Sequence, residues 1–290
     1  MDKNRVAAVL RFVVSLGLFA FLLSAESSFA TPRNECAGGE RPVVKNFQGV
    51  QVEFTPTKDE AFAFGNACSA VVRDSAKKEI FSETDAGFSL VMADADVNGD
   101  GVPDLVLESY SGGAHCCWTY YIISLGANPR LLARFENERG AAFVRSADGR
   151  IDIETLDGDF DYFDGQCHAC TVFPLMYLRL EGTKFVEVGS EHLAAYDEII
   201  AKSQKALNND ERQRLRSLRS KPTEDQDVDE GAVRSALSII LAYLYSGREA
   251  EAHQALRELW PPFDQERIWD LILKKRHDGM LSYTRDKKAA

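Results

Sequence analysis

At Gly189 the texture of the chain changes. From residue 43 to that point it is a succession of short runs rich in β-branched and aromatic residues, broken by Gly, Asp and Asn. The runs include GVQVEFT, FSLVMAD, PDLVLES, WTYYIISL, RLLARFE, RIDIETL and YLRLEGTKFVEVG. Several alternate apolar and polar positions, the period of a half-buried strand. In the last of them YLRL and KFVEV flank Glu181, Gly182 and Thr183, a hairpin signature. Residues 31–189 are therefore expected to form a mainly antiparallel β-domain.

Beyond Gly189 cysteine vanishes and glycine becomes sparse. SEHLAAYDEIIAKSQKAL carries apolar residues at three-four spacing behind Ser190, predicting a helix over 190–220. The polar, acidic stretch KPTEDQDVDEG at 221–231 reads as a linker. Residues 232–284 then hold GAVRSALSIILAYLYSG, REAEAHQALRELW closed by Pro261 and Pro262, and a final helix in DQERIWDLILKKR. Residues 285–290 are expected to fray. The segment ALSIILAYLYSGREAEAHQALRELWP resembles one tetratricopeptide-type helical hairpin. Stacked arrays need three or more such units to bury a continuous core, so a hairpin packed on its neighbours is expected instead. The fold class is α+β: a β-domain followed by a helical region.

Residues 1–30 read as a cleaved secretory signal. A charged MDKNR start precedes an apolar run from Phe12 to Ala25, and Ser28-Phe29-Ala30 supplies a small-x-small cleavage site before Thr31. The competing reading is an uncleaved anchor, which the run is short for, since about 20 apolar residues are needed to span a bilayer. No cysteine follows the run to accept a lipid. The six cysteines, Cys36, Cys68, Cys116, Cys117, Cys167 and Cys170, all lie beyond the leader. An even number in an exported chain implies disulfides, so three bridges in a periplasmic or secreted protein are expected. Because joining the neighbours Cys116 and Cys117 would close a strained ring, the economical pairing is Cys36 with Cys68 and the 116/117 pair with 167/170. A net charge of −11, one unit more negative without the leader, disfavours nucleic acid and anionic membranes as partners and suits a cation.

The cation has an evident place. ADADVNGDGVPDLVL sets Asp94, Asp96, Asn98 and Asp100 at two-residue spacing, with Asp104 before an apolar run. An EF-hand needs a bidentate Glu at position 12, and either register places Leu105 or Leu107 there, so that loop is ruled out. A shorter loop fits, with Asp96, Asn98 and Asp100 at positions 1, 3 and 5, the Val102 carbonyl at 7 and Asp104 at 9. Hard cations such as Ca²⁺ take six to eight oxygens at irregular angles, and glycines at 99 and 101 let the backbone wrap round an ion.

DVNGDGVPDLVL resembles the calcium loop of FG-GAP repeats, the integrin-type propeller blades also found as VCBS-like repeats in secreted bacterial proteins. The resemblance implies a loop joining two antiparallel strands of one blade and a Ca²⁺ ligand set at Asp96, Asn98, Asp100, Val102 and Asp104. It covers about a dozen residues, whereas a closed propeller needs at least four blades. A second acidic run, TLDGDFDYFDG with Asp157, Asp159, Asp161 and Asp164, lacks the second glycine and the following strand. It reads as a degenerate copy at best. Blade-like units short of a full propeller are expected.

SGGAHCCW at 111–118 and GQCHACTVF at 165–173 bring His115, Cys116, Cys117, Cys167, His168 and Cys170 into play. Disulfide staples between the clusters are the first expectation. A soft-metal site for Zn²⁺ or Cu⁺ is a second, since thiolate and imidazole at C-x₂-C spacing suit those ions. A third is thiol–disulfide exchange, because Cys167-His168-Ala169-Cys170 resembles the C-x-H-C of thioredoxin-fold oxidants. That chemistry calls for the first cysteine at a helix N-terminus in a βαβ setting, which this stretch lacks. There is no G-x-S-x-G elbow, phosphate-cradling glycine loop or H-E-x-x-H, and paired acids such as Glu108 and Asp157 have no geometry to test from sequence. The expectation is a non-catalytic, calcium-binding interaction or structural protein of the cell envelope, binding protein or an envelope polymer. The alternative is a thiol–disulfide oxidoreductase or soft-metal site.

Overall fold

A computed structural model describes residues 34–37, 41–62, 65–113, 117–220 and 230–284. The leader at 1–30, the tail at 285–290, all but the end of the 221–231 stretch, His115 and Cys116 lie outside the described residues. Strands β1 (Val43–Phe47), β2 (Val50–Lys58), β3 (Asn66–Arg73) and β4 (Glu79–Asp85) form a first sheet in sequence order. Strands β5 (Gly87–Ala95), β6 (Asp104–Tyr110), β7 (Trp118–Ser124) and β8 (Arg130–Asn137) form a second. A third consists of β9 (Ala141–Arg145), β10 (Ile151–Leu156), β11 (Leu175–Glu181) and β12 (Lys184–Glu187). Every pairing within the three sheets is antiparallel between sequence neighbours. The chain is thus α+β, with three blade-like four-stranded meanders and no closed propeller.

The middle sheet is buried on both faces, which explains why LVL and YYII are apolar without alternation. Leu105, Leu107, Tyr121 and Ile123 pack with Val52, Phe54 and Val72 of the first sheet. Their neighbours Val106, Tyr120 and Ile122 point into the second core, with Ile153, Leu178 and Phe185 of the third sheet. Phe135 of β8 meets Phe185 of β12 edge-on at 5.5 Å.

The outer face of the third sheet carries charge. Arg179 of β11, 2% exposed, forks onto Asp152 of β10 at 2.6 and 3.0 Å and onto Glu191 at 3.0 and 2.8 Å. His192 closes on Asp152 at 2.7 Å and stacks on Tyr177 at 3.8 Å. A buried guanidinium satisfied by two carboxylates removes the large penalty of an unpaired charge and fixes where the helical layer begins.

The helices are α1 (Leu193–Ala206), α2 (Asn209–Ser217), α3 (Glu230–Tyr245), α4 (Glu249–Leu259) and α5 (Gln265–Asp278). The single helix expected over 190–220 is two. Asn208 and Glu211 form a reciprocal capping box that starts α2, so the chain turns at Leu207. Ser190 caps nothing: it lies in a 3-10 turn, and α1 begins behind His192 without a side-chain cap. The α3–α4 hairpin turns at Ser246 and Gly247, and α3 is buried on nearly every side, as the central helix of a packed layer rather than one unit of an array. Among the described residues no helix is long and apolar enough to cross a membrane.

Cys36 is bonded to Cys68, as expected. The second pairing differs. Cys167 is bonded to Cys170, with Cα atoms 5.0 Å apart, instead of either reaching across to the 116/117 pair. Both sit on one tight turn, where the Cys170 and Thr171 amides donate to the Cys167 carbonyl at 2.9 and 3.0 Å, so local backbone geometry brings them into bonding range. Cys117 is also in a disulfide, and neither Cys167 nor Cys170 is its partner.

Candidate functional site: the 96–104 loop and the 157–170 turn

The 96–104 loop joins β5 to β6, antiparallel neighbours in the middle sheet. Gly99 at φ +75° and Gly101 at φ +82° occupy the left-handed region that other residues enter at a cost, so the loop can coil back on itself. The side chains at positions 1, 3, 5 and 9 of the loop are gathered on it. Asp96 Oδ1 accepts the Gly99 and Asp100 amides at 2.7 and 3.1 Å, and its Oδ2 accepts Gly101 at 2.9 Å. Asn98 Oδ1 accepts the Asp100 amide at 3.2 Å, while its Nδ2 donates to Asp100 Oδ2 at 3.1 Å. Asp100 Oδ1 accepts the Val102 amide at 2.8 Å. Asp94, on a bulge at φ +59°, is exposed and reaches away to Gln48, outside this group.

Asp104 differs from the others. It is 0% exposed at the start of β6, with Oδ2 accepting the Val97 and Asn98 amides at 2.8 and 3.3 Å. Its second oxygen, Oδ1, is buried with no hydrogen-bond partner. Burial pushes the Asp104 carboxyl up to about 6, against the two amides that lower it, and the charges of Asp100 and Asp96 push it further the same way. An orphaned buried carboxylate oxygen is costly and calls for an explanation. No Lys, Arg or His among the described residues pairs with Asp96, Asp100 or Asp104. Nor, among the described residues, are three His, Cys, Asp or Glu side chains drawn together tightly enough to hold an ion as they stand. The reason is visible in the hydrogen bonds: Asp96 and Asp100 are turned onto loop amides. The donor chemistry still suits a hard cation, being carboxylate, amide and carbonyl oxygen throughout.

The loop also bridges two sheets. Asn98 Nδ2 donates to the Gly182 carbonyl at 3.0 Å and the Gly182 amide donates to the Asn98 carbonyl at 3.1 Å, pinning the loop to the β11–β12 hairpin. Gly182 was legible in the sequence as a turn residue. Its docking onto Asn98 was not, because nothing in a hairpin signature says what the turn touches.

The second acidic run is the opposite case: its partners come from the protein. Asp164 is gripped by Arg267 at 2.7 and 2.8 Å, Asp161 by His168 at 2.9 Å, and Asp159 pairs with Lys275 at 3.4 Å. Buried Asp157 accepts from the Tyr245 hydroxyl at 2.6 Å and the Met280 amide at 3.2 Å. Asp157, Asp159 and Asp164 fasten this run to α3 and α5, Asp161 ties it to the cysteine turn, and each of the four carboxylates has a protein partner. Glu108 and Asp157 do not form an acid–base pair, since Glu108 is held by Tyr120 at 2.7 Å and Asp157 by Tyr245.

The cysteine turn follows this hub. Cys167 is exposed and Cys170 half-buried. As a disulfide, neither sulfur is a thiolate available to a soft metal. No α-helix starts at Cys167, so the thioredoxin-type setting is absent. The chain matches no family model and no curated protein sequence.

Proposed function

We propose that the protein is an exported calcium-binding protein of the cell envelope, in which one Ca²⁺ held at the 96–104 loop stiffens the joint between the second and third sheets and so presents their surface to a protein or polymer partner. The observation that carries this reading is Asp104 Oδ1, a carboxylate oxygen sealed inside an acidic loop with no proton donor and no protein cation. Asp96, Asn98, Asp100 and Asp104 side-chain oxygens and the Val102 carbonyl would hold the ion, with water filling the remainder. Rotation of Asp96 and Asp100 off the loop amides is the rearrangement that binding requires. The FG-GAP-type loop resemblance supports the same ligand set. The Cys36–Cys68 and Cys167–Cys170 disulfides suit the oxidising compartment that an exported chain would occupy.

The test is thermal unfolding of the chain from Thr31 onward in chelator and in calcium. At calcium about a hundredfold above Kd the gain is about 2.7 kcal/mol, or roughly 5–10 °C in Tm for a chain of this size. Asp100→Ala, an exposed change, and Asp104→Asn should each remove the calcium response while leaving the calcium-free protein folded. A wild-type Tm indifferent to calcium would sink the proposal.

A further inference from the structure

Cys167 and Cys170 sit at the only described place where a disulfide, backbone strain and solvent meet. Tyr162 and Asp164, neither of them glycine, adopt left-handed backbone at φ +52° and +51°, and the Tyr162 ring is 59% exposed beside the turn. Such strain costs on the order of 1–3 kcal/mol per residue and persists where the surroundings enforce it. Two polar atoms flanking the cysteines, Gln166 Oε1 and Thr171 Oγ1, are buried without a hydrogen-bond partner. His168, between the cysteines, is fixed by the Asp161 carboxylate at 2.9 Å and lies 3.3 Å from Arg139, whose guanidinium stacks 3.6 Å from the Phe173 ring. Arg234 of α3 donates to the Ala169 carbonyl at 3.3 Å. The contrast with the Cys36–Cys68 bridge is sharp, since Cys68 is fully buried in the core between the first two sheets.

We propose that Cys167–Cys170 is a redox-active disulfide that accepts two electrons from the dithiol of a protein substrate, with the exposure of Cys167 on a turn, in place of a thioredoxin-type helix N-terminus, opening it to attack. The turn is held by its own backbone hydrogen bonds and by Arg234, so opening the S–S bond leaves the two sulfurs within reach of each other and the step is reversible. A substrate thiolate attacks the exposed Cys167 sulfur, forming a mixed disulfide as the Cys167–Cys170 bond breaks and Cys170 leaves as a thiolate. The second substrate thiol, after losing its proton, attacks the substrate sulfur of the mixed disulfide and expels the Cys167 thiolate. The substrate becomes a disulfide and the protein a dithiol once both thiolates take up protons, which balances two electrons and two protons. The exposed Tyr162 and half-buried Phe173 beside the turn give an extended substrate segment an apolar rim to lie on.

The test uses the full disulfide-bonded chain, incubated without oxygen with a reduced synthetic peptide carrying two cysteines, and reads each cysteine by alkylation and mass mapping. The expected result is peptide disulfide formed in step with opening of Cys167–Cys170, at least about tenfold faster than any opening of Cys36–Cys68, given that exposure governs which sulfur a thiolate can attack. The trapped intermediate should carry the peptide on Cys167. The variant Cys167→Ser with Cys170→Ser should be inert towards the peptide while keeping Cys36–Cys68 intact, which reports that it is folded. Equal or slower opening than at Cys36–Cys68, or peptide trapped on Cys170, would overturn the proposal.

Discussion

Glu108 is an acid in the wrong solvent. It is 6% exposed on β6, its only described donor is the Tyr120 hydroxyl, and burial raises its carboxyl above the ordinary value. That hydroxyl in turn accepts the Ala141 amide at 2.6 Å, so one phenol joins the second sheet to the third. A folded-state value above the unfolded one means that the folded protein holds the proton more tightly. The stability this contributes is complete below the ordinary glutamate range and is lost as pH rises through the raised value, at up to about 1.4 kcal/mol per pH unit. Glu108→Gln keeps an acceptor for Tyr120 and removes the charge. The expected outcome, from urea unfolding in chelator between pH 4 and pH 8, is a flatter profile and a variant at least as stable as wild type at pH 8. Parallel profiles would show that Glu108 is not the group responsible.

Among the elements, the joint between the third sheet and the helices turns on close approach. A Cβ at Gly189 would stand 2.1 Å from the Tyr245 carbonyl oxygen, a backbone atom at the end of α3 that cannot swing aside. Gly189→Ala should therefore cost about 1–3 kcal/mol, read as a lower urea midpoint, and a broadened transition would mark the helical layer separating from the sheets. An unchanged midpoint would mean that the 3-10 turn at Gly189–Glu191 relaxes freely. The position illustrates what a single sequence can carry. Gly189 was visible as the border between strand and helix textures, because period-two and three-four spacing differ on either side of it. Its role as a spacer against Tyr245 was not visible, since that contact joins residues far apart in the chain. The break at Asn208 is different, since the capping box lies within four residues and the polar run NNDERQR separates Leu207 from Leu215, so it was open to a sequence reading that weighed caps against spacing. The limit does apply to the cysteines, where the sequence gives no distance. The pairing of Cys167 with Cys170 follows from a turn that only the folded backbone reveals. The acidic loop was more legible because its oxygens and glycines are all local to nine residues, although the Gly182 dock again is not.

Across the whole molecule the middle sheet belongs to two cores, and the 96–104 loop sits where the second of them is pinned to the β11–β12 hairpin. Val97 is buried in that second core, and Asn98 exchanges two hydrogen bonds with Gly182. An ion at the loop would therefore act on one seam and not uniformly. The first sheet meets the middle one through Leu105, Leu107, Tyr121 and Ile123, on the opposite face. Helix α5 is anchored elsewhere, through Arg267 to Asp164 and Lys275 to Asp159. Native-state hydrogen exchange resolves such local opening from global unfolding. On removing calcium, amides at 97–104 and at 181–183 should exchange faster, while those of β2, β3 and α4 keep their protection under conditions where global unfolding is not the exchange route. Acceleration spread evenly over all three sheets would mean that the ion acts on overall stability alone, and acceleration confined to the helices would place it away from the loop. The outcome at Gly182 is the most telling, because that residue contributes no ligand and can respond only if the ion tightens the seam between the sheets.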